Sequence, residues 1–202
     1  MATGSYTSGQ AAHRGDQVAP RECQDGLTIQ RHFSTEGVDP FDQVGWEKRS
    51  ASIRDDKGEV IFEQADVEVP SDWSQLATNV VASKYFYGDS SKGQREGSVR
   101  DLIHRVTRTI ADWAREDGTL ASDADAETFY DELTWLCVNQ YGAFNSPVWF
   151  NVGLYHHNGV PGSRGCFHWD RDAGRPVRTE RGYEHPQASA CFIQSVDDTM
   201  ED

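Results

Sequence analysis

Four stretches of this sequence carry side chains whose type and spacing could do chemistry. The run PQASACFIQSVDDTMED sets Cys191 at the head of an apolar segment and Asp197 and Asp198 at its tail. A thiol at the head of an apolar strand reads first as a small buried hydrophobe. Acids ahead of a helix are caps, and in an α/β fold the point where a strand leads into a helix N-terminus is where ligands commonly sit. In FNSPVWFNVG, Ser146, Pro147 and Gly153 have the grammar of a short helix, with serine at the N-cap, proline at N1 and glycine at C′. The first-turn amides of such a helix can hold an anion, although plain capping explains the same residues. Cys137 falls on a helical apolar stripe and reads as core. His156, His157, Cys166 and His168 are potential zinc ligands, but an adjacent His pair and a Cys-x-His triplet do not match the spacings of structural zinc sites, so no metal site is assigned.

The elements that must position these residues follow from periodicity. Residues 1–26 are rich in Gly, Ser, Ala and Gln and predict a disordered tail, with order beginning near Leu27. The stretch WEKRSASIRDDKGEVIFEQADVEVP predicts a β-hairpin that turns at Asp55 to Gly58. From Pro70 the period becomes helical. Ser71 or Asp72 is the expected cap, and Trp73, Leu76, Ala77, Val80, Val81 and Tyr85 form the expected apolar stripe. After the glycine-rich loop YGDSSKGQREG, a second helix is expected from Ser98 through Val99, Leu102, Ile103, Val106, Ile110 and Trp113, stopping near Gly118. A third is expected from Ser122 or Asp123 through Phe129, Tyr130, Leu133, Leu136 and Cys137. Residues 154–186 read as a long connection rich in Gly, Pro and Arg. Ala190, Cys191, Phe192, Ile193 and Val196 predict a buried strand of a parallel sheet, and DDTMED the cap of a following helix.

Composition narrows the function classes. A chain of 202 residues with 37% hydrophobic content can bury one domain-sized core. Its net charge of −14 repels phosphate backbones and argues against direct DNA binding, while leaving room for a nucleotide in a local pocket. The acidic bias with only four lysines also hints at a salt-adapted cytosol. Four cysteines without a C-x-x-C pair read as thiols of a reducing compartment. No stretch is long and apolar enough for a membrane span or a secretory signal, so a cytoplasmic protein is expected.

FNSPVWFNVG followed by PQASACFIQSVDDTMED, and preceded by WEKRSASIRDDKGEVIFEQADVEVPSDWSQLA, resembles the N-terminal part of the large chain of adenosylcobalamin-dependent (class II) ribonucleotide reductases. The resemblance covers residues 28–202. It implies an α+β chain: a β-hairpin region over 27–69, a helical N-terminal domain over 70–141, and over 142–202 the start of a ten-stranded catalytic α/β barrel, truncated after about its first strand. It implies reduction of ribonucleotides, with diphosphates the expected substrates, by cobalamin-initiated radical chemistry. Cys191 matches the strand cysteine that, with a second cysteine further downstream, supplies two electrons as the ribose 2′-hydroxyl leaves. Ser146 and Pro147 match the segment that holds the substrate's phosphates, and Ser189 and Ala190 stand at the substrate beside the cysteine. Other reductase classes often have serine immediately before this cysteine, where this chain has Ala190. Asp198, Thr199 and Met200 match the start of the helix that binds a deoxynucleotide effector.

The implied partners are a ribonucleotide, a deoxynucleotide effector, a thioredoxin- or glutaredoxin-type reductant and the rest of the reductase chain, with room for a homodimer. The thiyl-forming cysteine and most contacts to adenosylcobalamin are implied downstream, so this chain alone is expected to be inactive. The rival reading is a non-catalytic nucleotide-binding or assembly protein derived from the same fold.

Overall fold

A computed structural model describes residues 26–89 and 95–191. The predicted disordered tail, the centre of the glycine-rich loop, the strand residues from Phe192 onward and the acidic cap with Asp198, Thr199 and Met200 lie outside the described residues.

The first hairpin forms where the alternation placed it. β1 (Trp46–Arg54) pairs antiparallel with β2 (Val60–Pro70), from Trp46 opposite Pro70 to Arg54 opposite Val60. Asp55 makes the turn, its side chain accepting from the N–H groups of Lys57 and Glu59 at 2.9 and 2.8 Å. Gly58 takes a positive φ of 86° there, which suits a residue without a Cβ. One face of the sheet is buried through Ala51, Val67 and Val69.

Two helices pack on the hairpin, and a third packs on the second of them. α1 (Gln75–Lys84) starts later than the sequence predicts, capped by Ser74 and not by Ser71 or Asp72. The reason lies in the backbone: Ser71 N–H bonds Gly45 C=O and Trp73 N–H bonds Pro70 C=O, so these residues are spent closing the strand into a turn. The expected stripe is also rotated. Leu76 and Val80 are exposed, and α1 meets the hairpin through Thr78 and Ala82. Arg49 of β1 accounts for this polar seam, donating to the Trp73 carbonyl, to the Ser71 carbonyl at 2.8 Å and to Thr78 Oγ1 at 3.2 Å.

α2 (Val99–Glu116) and α3 (Asp123–Val138) start where expected, α2 capped by Ser98 and α3 by Ser122, one of the two residues offered for it. α2 buries Val99, Leu102, Ile103 and Val106, and α3 buries Ala126, Tyr130, Cys137 and Val138. Thr107 and Thr134 meet between them, hydroxyl to hydroxyl, at 2.9 Å. The segment before β1 is strapped along α3: Ile29 N–H donates to Asp125 at 2.8 Å, Arg31 pairs with Asp131 at 2.8 Å, and Glu132 accepts from the Phe33 and Ser34 N–H groups. A 3-10 turn (Pro40–Gln43) then leads into β1.

Two short helices, α4 (Ser146–Asn151) and α5 (Leu154–Asn158), follow. Val148, Trp149 and Val152 enter the same apolar cluster as Ala51, Val67, Leu102, Ile103 and Cys137, so one core runs from the hairpin to α4. The segment read as a long connection contains a second antiparallel hairpin, β3 (Phe167–Asp170) with β4 (Arg175–Arg178).

The strand expected from Ala190 is not present at its first two residues. Ala190 and Cys191 are exposed and belong to no strand. An isolated strand leaves its N–H and C=O groups unpaired, and among the described residues this segment pairs with neither of the two hairpins.

Candidate functional site

The site builds outward from α4. A helix of six residues is too short to stand alone, so its position is imposed by what grips it. Asn145 is the N-cap, with its side-chain oxygen accepting from Val148 N–H at 3.2 Å. The sequence favoured Ser146 for that task, and the correction has a consequence. The serine sits one residue inside the helix, and its hydroxyl is not consumed by capping. Its oxygen lies 3.1 Å from the hydroxyl of Tyr85, the residue that ends α1, and the Tyr85 ring stacks on Phe150 at 5.2 Å. Pro147 has no N–H to offer and Val148 N–H is engaged by Asn145, so the polar group distinctive to this turn is the Ser146 hydroxyl.

The far end of α4 is held by a buried cation. Arg105 of α2 donates to the carbonyls of Trp149 at 3.1 Å and Val152 at 2.7 Å, and pairs with Glu96 at 2.8 Å. Gly153 then turns the chain at φ 82°. A Cβ there would overlap Arg105 itself, so both the conformation and the close approach require glycine.

The segment leading to Cys191 is tied to the same helix. Asn151 donates from Nδ2 to the Gln187 carbonyl at 3.0 Å, and Ala188 packs on the core beside α4. α4 therefore carries Ser146 at one end and anchors at the other the stretch that presents Ser189, Ala190 and Cys191, all three exposed. The structure brings these sequence-predicted residues onto one helix and its tether. Sequence reasoning missed Tyr85, Asn151 and Arg105. Only Asn145 carried a local signal, as a second good capping residue beside Ser146.

The other cysteines separate clearly. Cys137 is buried, and desolvation pushes its thiol up to about 12, as an inert core thiol requires. Cys166 is free and exposed on the edge of a groove of about 1040 Å³ beside the β3–β4 hairpin. Of the candidate zinc ligands, His156, Cys166 and His168 line that groove while His157 does not: His156 packs edge-on to Trp113, His157 against His104, and His168 stacks on His185 at 3.7 Å. Among the described residues no three His, Cys, Asp or Glu side chains converge as a metal site. Also among them, no helix is long and apolar enough to cross a membrane.

Comparison with known proteins bears on the whole arrangement. A profile described as class II vitamin B12-dependent ribonucleotide reductase matches residues 47–93 and 87–140, from β1 through α3. Vitamin B12-dependent ribonucleotide reductases are similar over nearly all of the chain. That of Rhodopirellula baltica is 53% identical over 193 residues, covering 95% of this chain and 18% of that protein. That of Streptomyces clavuligerus is 40% identical over 196 residues, covering 96% and 17%. That of Bradyrhizobium diazoefficiens is 30% identical over 208 residues, covering 86% and 17%. The chain thus spans less than a fifth of the length of these relatives. An alignment over 95% of 202 residues necessarily takes in both Ser146 and Cys191.

Proposed function

Because this chain carries the N-terminal region of the class II vitamin B12-dependent ribonucleotide reductases, we propose that it supplies part of the substrate site and one of the two reducing thiols of such an enzyme. The reaction is the reduction of a ribonucleotide to a deoxyribonucleotide, with ribonucleoside diphosphates the expected substrates. The observation that carries the reading is the placement of α4: a serine hydroxyl left free of capping duty at one end, and at the other a hydrogen bond to the segment that exposes Cys191.

In this reading Ser146 donates to a phosphate oxygen of the substrate, and Ser189 and Ala190 border the sugar. Cys191 and a second cysteine, contributed by the part of the reductase outside this chain, give up two electrons and two protons as the C2′–O bond breaks. One proton leaves with the hydroxyl as water, the other ends in the new C2′–H bond, and the two thiols close to a disulfide, which an external thioredoxin-type dithiol then reduces by exchange. Asp198, Thr199 and Met200 are assigned to a deoxynucleotide effector. Vitamin B12 supplies radical initiation to the family. The groove beside the β3–β4 hairpin mixes Trp113, Phe167 and Trp169 with Glu116, Asp117, Asp170 and Arg171, and no residue in it is assigned to the corrin. Following the family resemblance, most of the cofactor's contacts are assigned to the rest of the enzyme.

The decisive experiment is Cys191→Ser in a complete reductase that begins with this chain. Serine is nearly isosteric and cannot form the disulfide, so cobalamin cleavage should persist while multiple-turnover deoxynucleotide formation with thioredoxin collapses. Normal turnover by the variant would remove Cys191 from the mechanism. Parallel assays with CDP and CTP decide the phosphate count, and turnover of CTP alone would overturn the diphosphate assignment.

A further inference from the structure

We propose that Tyr85 is a positioning residue for the substrate's phosphates, acting through Ser146. The inference rests on the reading of Ser146 given above and extends it to a residue on another helix, some sixty positions earlier in the chain.

A serine hydroxyl has one proton to donate and two lone pairs with which to accept. Had Ser146 capped α4, an oxygen lone pair would be committed to a backbone N–H, but Asn145 does that work. The partner of the Ser146 hydroxyl is instead the Tyr85 hydroxyl, 3.1 Å away. Either oxygen can donate in the free protein. Once an anion faces Ser146, only one arrangement satisfies both: the phenol donates to Ser146 Oγ, and the serine proton turns outward to a phosphate oxygen. Donation into the serine oxygen polarises its O–H, so the chain of two hydrogen bonds strengthens the outer one.

The phenol is well placed for this. The Tyr85 backbone ends α1, with its N–H bonded to the Val81 carbonyl. The next residue, Phe86, is buried in the core. The ring lies nearly parallel to Phe150 of α4, at 20° and 5.2 Å. Tyr85 is thus fixed at its backbone by α1 and at its ring by the helix whose serine it contacts. Phenylalanine at this position would keep the stacking and lose only the hydroxyl.

The test uses the complete reductase, comparing wild type, Tyr85→Phe, Ser146→Ala and the double variant by steady-state kinetics with the ribonucleotide as varied substrate and by thermal unfolding. Loss of one hydrogen bond that orients an anion-binding hydroxyl should raise KM about fivefold in Tyr85→Phe, with kcat and Tm close to wild type. Adding Tyr85→Phe to Ser146→Ala should change nothing further, because the phenol then has no serine to orient. An unchanged KM in Tyr85→Phe beside a raised KM in Ser146→Ala would overturn the role of Tyr85 and leave the phosphate reading standing. An unchanged KM in Ser146→Ala would overturn both. A Tyr85→Phe effect that persists undiminished without Ser146 would show that the phenol acts by some other route, and would also overturn the proposal.

Discussion

Glu96→Ala tests the idea that α4 is positioned from α2 through one buried cation. The side chains of Arg105 and Glu96 are 2% and 7% exposed, so their pairing is made almost without solvent screening. Glu96 accepts from Arg105 Nε at 2.8 Å and from its NH2 at 3.3 Å, and it also accepts from Tyr87 N–H at 2.8 Å. Alanine removes all three bonds at once. It leaves a guanidinium whose remaining partners are two neutral carbonyls, Trp149 and Val152. Removing one member of a buried, hydrogen-bonded ion pair costs about 3–5 kcal/mol, most of it the penalty of an uncompensated buried charge. Glu96→Gln keeps the shape and one acceptor but is neutral, so it too leaves the buried guanidinium uncompensated and should cost towards the lower end of the same range. The assay is urea unfolding followed by tryptophan fluorescence, with the loss read from the midpoint at constant m-value. A loss below about 1 kcal/mol for Glu96→Ala would refute the reasoning, because that is the range of a solvated surface pair.

The remaining predictions concern the neighbours of this clamp and the surface of α3. Gly153→Ala should destabilise by about 2 kcal/mol or more, since a positive φ of 82° strains an L-residue and the new Cβ would overlap Arg105; a loss under about 0.5 kcal/mol in the same unfolding assay would contradict the close approach. Desolvation raises the Glu132 carboxyl, but the Ser34 hydroxyl and the backbone N–H groups of Phe33, Ser34 and His32 outweigh it and hold its pKa below the ordinary 4.5. Its contribution is therefore present above that value and lost as pH falls through the lower folded one; Asp131, raised by desolvation, works in the opposite sense, so the check is whether Glu132→Gln flattens the acid limb of a stability–pH curve. Thiol-reagent labelling of the native chain should modify Cys166 and Cys191 at once and Cys137 only on unfolding, and comparable rates at all three would contradict the burial of Cys137.

What the sequence revealed and what it hid divide along a physical line. The hairpin and helices α2 and α3 were legible because each repeats one signal many times: alternation along β1 and β2, a wide apolar stripe on α2, and capping residues at Ser98 and at Ser122 or Asp123 that bracket each start to within one residue. α1 was legible only in outline, since its cap depended on where β2 released the chain, and its polar seam on an arginine in another element. The β3–β4 hairpin was missed. Four-residue strands with Pro176 in one of them carry too little alternation to read, although Asp170 and Gly174 do mark its turn: Asp170 accepts from the Asp172 and Ala173 N–H groups at 2.9 Å, and Gly174 has φ 60°. At α4, Asn145 and Ser146 are both good caps by type, and Pro147 tipped the reading to Ser146. The structure puts the Asn145 side chain on Val148 N–H and leaves the Ser146 hydroxyl to Tyr85, a contact from another helix that nothing local in the sequence encodes.

That last ambiguity decides how the candidate site is to be understood. Had Ser146 been the cap, removing its hydroxyl would damage α4 whether or not a substrate binds there, and no mutant could separate a structural role from a functional one. With the cap on Asn145, the two roles fall on adjacent residues and can be addressed separately. Asn145→Ala removes the acceptor for Val148 N–H and should cost about 1 kcal/mol of stability. Ser146→Ala removes a hydroxyl whose partner is another hydroxyl, and should leave stability nearly unchanged. The short helix can spare that hydroxyl because it draws little of its stability from itself. Trp149 and Val152 are buried in the core cluster, their carbonyls are held by Arg105, and its last residue, Asn151, holds Gln187. A helix fixed by its surroundings leaves its first turn available to a ligand, and the tether at its other end sets where the chain bearing Cys191 departs.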